Sequence, residues 1–159
     1  MSDCTVHQVL SQVGADLDVL DVAPTAKEIH TLIDEVQAKQ KHKPIAVLAI
    51  DGADVPTRPE SARGSRPGRK KVRAKRARWK GQYREAKGLR FFLVDQDRIV
   101  HLFSWHQIQT EEEMGQALQK IKQAGLIPEE KVRLCAVADG APWIWKRVEI
   151  SFPSARQIL

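Results

Sequence analysis

Polar and apolar positions alternate along the chain in a way that separates helices from strands. Pro24 precedes Thr25, and Glu28 follows three residues later, the pattern of a capping box. Ile29, Leu32, Ile33 and Val36 then recur at i, i+3, i+4 and i+7, which predicts a helix with one apolar face. Lys39, Lys41 and Lys43 suit its negative C-terminal end. After Pro44, Ile45–Ile50 is a continuous apolar run, as expected of a strand buried on both faces, and it ends in Asp51-Gly52-Ala53. Upstream, Val6, Val9, Leu10 and Val13 also have helical spacing, in an otherwise weak pattern.

Beyond Leu89 the strand pattern returns. LRFFLV and RIVHLFSW flank Asp95-Gln96-Asp97, which predicts a hairpin. A second capping box, Thr110 with Glu113, opens a helix whose apolar face is Met114, Ala117, Leu118 and Ile121, and Gly125 is placed to end it. Val132–Ala138 reads as another buried strand, again ending in Asp139-Gly140-Ala141. Pro142 can occupy the first turn of a further helix, which Pro153 stops, and the final RQIL has the character of a beginning strand. This order predicts an α/β fold: a mixed sheet with flanking helices, residues 1–43 forming an N-terminal helical segment and 44–159 the sheet-containing core.

Charge changes this picture in one place. The chain of 159 residues carries a formal net charge of +6, yet outside residues 57–88 it is net acidic. That segment reads as a long basic insertion after the first strand, exposed and poorly packed because it has few apolar anchors and repels itself. Arg69, Lys70, Lys71, Arg73, Lys75, Arg76, Arg78, Lys80 and Arg84, with Trp79 among them, form the electrostatic footprint of a nucleic-acid contact. Trp79 and Tyr83, four apart, could stack on bases. The competing reading is a solvated loop without specific contacts. Cys4 and Cys135 lie far apart with no CxxC partner, so neither a zinc site nor a disulfide framework is expected. With no signal peptide and no apolar run of membrane-spanning length, a cytoplasmic protein without membrane contact is expected.

The candidate chemistry lies in LAIDGA and AVADGA, each an apolar strand followed by a carboxylate and a glycine. If the two strands are parallel neighbours, Asp51 and Asp139 emerge side by side at strand carboxyl ends, where open α/β sheets place their sites. Two close carboxylates repel unless they share a proton or a cation. Mg²⁺ is such a cation, and a pair of these ions serves phosphoryl transfer by stabilising the attacking and leaving oxygens. Asp-Gly is also a common turn dipeptide, so the spacing alone leaves two ordinary turns open. His101 and His106 read as structural, Trp143 and Trp145 as core, and Cys135 as a buried thiol.

DGADVPTRPE, GRKKVRAKRARWKGQYREAKGLRFFLVD, RIVHLFSWHQIQ and CAVADGAPWIW, in that order, closely resemble transposases of bacterial insertion sequences of the ISKra type, relatives of the Mutator-like DDE enzymes. The resemblance runs from about Asp18 to Leu159. It implies a ribonuclease-H-like fold with an Asp, Asp, Glu triad, in which Asp51 and Asp139 are the catalytic, metal-binding aspartates. It further implies Mg²⁺ or Mn²⁺ as cofactor, transposon-end and target DNA as partners, and a homo-oligomer in the intact enzyme. The family's glutamate lies beyond the position of Leu159, so the chain is expected to be a fragment with an incomplete C-terminus, binding its metal weakly and inactive alone. The alternatives are a non-catalytic nucleic-acid-binding protein working through residues 57–88, and another ribonuclease-H-like nuclease.

Overall fold

The computed structural model describes residues 17–57 and 82–159. In chain order the elements are α1 (Val19–Val22), α2 (Ala26–Gln37), β1 (Ile45–Thr57), β2 (Gln82–Asp95), β3 (Arg98–Ile108), α3 (Glu111–Gln123), β4 (Arg133–Val137), α4 (Pro142–Ser151) and β5 (Arg156–Ile158). The strands form one mixed sheet in the order β3-β2-β1-β4-β5. The β1–β2 and β2–β3 pairs are antiparallel, and the β1–β4 and β4–β5 pairs are parallel. An α/β fold with helices flanking a five-stranded mixed sheet is thus present, and its topology is compatible with the ribonuclease-H-like class.

Both expected capping boxes form. The Thr25 and Thr110 side chains accept hydrogen bonds from the Glu28 and Glu113 backbone N–H, and each glutamate accepts one in return. A third box, Asp18 with Asp21, opens the four-residue α1, which the weak apolar pattern there had not revealed. Hydrogen bonds from Thr25 and Thr110 hold the Glu28 and Glu113 carboxyls below their ordinary value of 4.5. A carboxyl lowered in the folded state stabilises the fold above its unfolded pKa, and that contribution is lost as pH falls through the folded value. Stability should therefore decline as pH drops below about 4.5, and Glu28→Gln with Glu113→Gln should flatten that decline in unfolding curves collected across the acid range. An unchanged acid slope in the double variant would refute this assignment.

One core holds the molecule together. Ile29, Ile33 and Val36 of α2, Met114, Leu118 and Ile121 of α3, and Ile144 and Val148 of α4 meet Ala46, Leu48 and Ile50 of β1 and Leu89, Phe91 and Leu93 of β2. The N-terminal helices share this core, with Val19 fully enclosed in it. Every one of these sheet residues belongs to the same face. The register pairs Leu48 with Phe91 and Ile50 with Leu89, so side chains one residue out of step point to the other side. That second face, which carries Val47, Ala49, Asp51, Gly88 and Arg90, adds no side chain of β1 or β2 to this cluster, although Val47 is itself buried.

Two expectations about the insertion need correction. The first strand does not end at Asp51-Gly52-Ala53 but continues to Thr57, and residues 82–88 are not loosely packed loop but the first half of β2. Thirteen consecutive pairs, from Ile45 with Val94 to Thr57 with Gln82, run without a shift. Backbone pairing satisfies the polar main chain there, while Tyr83 and Arg84 stay exposed and Lys87 is buried. Past the ends of β3 and β4, β1 and β2 continue as a two-stranded ribbon, to whose tip the basic run 58–81 is tethered. The run itself lies outside the described residues.

Candidate metal and nucleic-acid site

The parallel ladder between β1 and β4 pairs Ile45 with Arg133 and continues in step to Ala49 with Val137. The ladder stops there; Asp51 lies two residues further along β1, and Asp139 two residues beyond the end of β4. Asp51 lies within β1 on the face that carries no helix among the described residues, and Asp139 follows the C-terminal end of the parallel neighbour β4 in a bend, so both carboxylates stand near one end of adjacent strands. Both residues are exposed. Oδ1 of Asp51 accepts from the Gly52 N–H at 2.8 Å, and Oδ1 of Asp139 accepts from the Ala141 N–H at 3.1 Å. The second oxygen of each has no hydrogen-bond partner among the described residues, which suits a hard cation that takes one or two carboxylates and fills its remaining positions with water or phosphate oxygens.

The two Asp-Gly-Ala segments are not the same device. Gly52 lies within β1, paired with Lys87, whereas Gly140 follows β4 in a turn with φ +91°, a conformation that disfavours any residue bearing a Cβ. After that turn, α4 begins with Pro142 in its first turn, as its sequence requires. The start of α4 is tied back to β2. The Lys87 ammonium is buried, pairs with Glu85, and lies 5.1 Å from the centre of the Trp143 ring. That contact holds the first turn of α4, and with it the Asp139 turn, against the strand next to Asp51. Trp143 and Trp145 pack against the core, the role expected of them.

Three side chains near the carboxylates escaped sequence reasoning. Arg90 pairs with Ala49, two residues inward from Asp51 on the same face, and is exposed. Gly88 pairs directly with Asp51, and His106 of β3 pairs with Gly88. Lys87, on the opposite face, anchors α4. Of the expected nucleic-acid residues, Arg84 is on the exposed ribbon, on the same face as Asp51, while Arg69, Lys70, Lys71, Arg73, Lys75, Arg76, Arg78, Trp79 and Lys80 lie outside the described residues. Among the described residues no three His, Cys, Asp or Glu side chains converge as a metal-holding group, and Glu149 on α4 does not complete one. No helix among them is long and apolar enough to cross a membrane. No protein-family model matches the chain, and no curated protein matches it.

Proposed function

We propose that this chain carries part of a divalent-metal site for phosphodiester cleavage and strand transfer on DNA, of the insertion-sequence transposase kind, on a ribonuclease-H-like sheet, and does not cleave DNA by itself. Asp51 and Asp139 are two of its metal-ligating carboxylates. The reading is supported by one observation: β1 and β4 are parallel neighbours, paired as far as Ala49 with Val137, and each leads within two residues to an aspartate. A divalent ion held there would polarise a phosphate oxygen and lower the pKa of bound water. The protein's own contribution is placement. Backbone N–H groups of Gly52 and Ala141 fix one oxygen of each carboxylate. The basic run 58–81 joins Thr57 to Gln82 at the tip of the ribbon, and its cations are the expected phosphate contacts.

The absence of a third ligand among the described residues favours a second reading, a nucleic-acid binder without catalysis. DNA affinity measured with and without low Mn²⁺ at fixed ionic strength separates the two. The metal-dependent reading predicts tighter binding with Mn²⁺, an increment that disappears in Asp51→Asn and in Asp139→Asn. It also predicts no strand cleavage by residues 1–159 alone, since two carboxylates leave the second ion without its ligand and misplacement of ~1 Å can cost ~100-fold. Equal affinity with and without Mn²⁺ would leave the non-catalytic reading standing.

A further inference from the structure

We infer that His106 is a further substrate-contacting residue of this site, donating from its imidazole N–H to a phosphate oxygen of the strand that the Asp51–Asp139 end receives. The inference goes beyond the carboxylates and the basic run and rests on the proposed DNA-acting role. It starts from a row across the sheet: Asp51, Gly88 and His106 occupy one level on three consecutive strands and face the same way, and Asp139 follows the end of the neighbouring β4. Gly88 has no side chain, and the imidazole fills that space. A Cβ placed on Gly88 would lie 2.1 Å from His106 Cδ2 and 2.6 Å from Nε2. The ring therefore leans off its own strand and covers β2, one strand spacing of about 4.8 Å from the strand carrying Asp51. Only glycine at position 88 permits this.

The ring is exposed and has no hydrogen-bond partner among the described residues, unlike His101, whose Nε2 is 2.7 Å from Ser104 Oγ on the same face. The surroundings match a polyanion. Arg84, Arg90 and Arg156 share this face and are exposed, and none of the ion pairs among the described residues involves them. The carboxylate of the paired strands on this face is Asp51, and Asp139 follows the end of β4. A phosphodiester backbone crossing this face would meet the exposed arginines of β2 and β5 on either side of β1 and β4, and His106 is the imidazole donor nearest to Asp51 along the row.

The test is DNA affinity of the full chain in EDTA, so that metal binding has no part in the readout. His106→Ala and His106→Asn should each weaken binding by about tenfold or more, the loss of one hydrogen bond to a charged group. Gly88→Ala, which displaces the ring, should match them, and His101→Ala should bind as the parent does. Thermal unfolding of each variant confirms that the comparison is between folded proteins, and His106→Asn at an exposed position serves if Gly88→Ala does not fold. Parent-like affinity of folded His106→Ala would overturn the inference. So would an equal loss in His101→Ala, which would mean that the whole face acts as a diffuse charge. If Mn²⁺ fails to affect the parent while the His106 loss persists in EDTA, the metal reading falls and the His106 contact stands.

Discussion

Replacing Phe91 with alanine should cost about 3–5 kcal/mol, close to the whole stability of many domains of this size. Phe91 is fully buried at the centre of β2. Its ring stacks on Phe103 with centroids 5.2 Å apart and meets the edge of Phe152 at 6.0 Å. It thus joins the two antiparallel strands to the end of α4. Truncation removes its apolar surface and both aromatic contacts, and leaves a cavity walled by strands that cannot collapse without breaking their ladders. The expected result is a large fall in the urea midpoint with little change in slope. Arg90→Ala, one residue away but on the exposed face, should change stability by no more than about 0.5 kcal/mol. A loss below about 1 kcal/mol for Phe91→Ala would contradict the single-core description.

The second large effect concerns DNA. Exchanging Arg73, Lys75, Arg76 and Arg78 for alanine removes four cations from the run tethered to the β1–β2 ribbon. Each phosphate neutralised contributes about 0.9 to the slope of log affinity against log salt, so the slope should fall by up to about 3.6. At 0.1 M salt this corresponds to a weakening of up to about four thousandfold relative to 1 M. Unfolding curves of the variants are expected to coincide with those of the parent. An unchanged slope and affinity would remove the segment from the DNA contact, whatever the carboxylates do.

Much of the architecture was legible because its signals are local. The boxes Thr25 with Glu28 and Thr110 with Glu113 announced both longer helices to the residue. Ile45–Ile50 and the polar turn after β2 announced the central strand and the hairpin. The site was legible only in part, because it depends on register. Counted from the turn, Asp95 pairs with Arg98 and Phe92 with His101, so a regular hairpin would set Trp105 opposite Gly88. A bulge between Phe91 and Phe92 shifts β3 by one residue and brings His106 there instead. Its one trace in the sequence is Leu102-Phe103, two adjacent buried apolar residues that break the alternation. The continuation of β1 past Asp51 was hidden for a different reason. Ala53–Thr57 and Gln82–Arg84 are partly or wholly exposed, so the ribbon is held by main-chain pairing and shows no hydrophobic period.

Whether Asp51 and Asp139 hold a divalent ion together is most directly read from iron-mediated cleavage of the backbone. Fe²⁺ in place of Mg²⁺, with ascorbate and peroxide, generates radicals that cut the polypeptide next to the bound ion. The paired-carboxylate site predicts cuts at two places, around Asp51 in β1 and around Asp139 after β4. Both should be suppressed by excess Mg²⁺, and both lost together in Asp51→Asn and in Asp139→Asn. Cuts at neither place, or cuts at one aspartate that survive substitution of the other, would show that the two carboxylates do not share an ion.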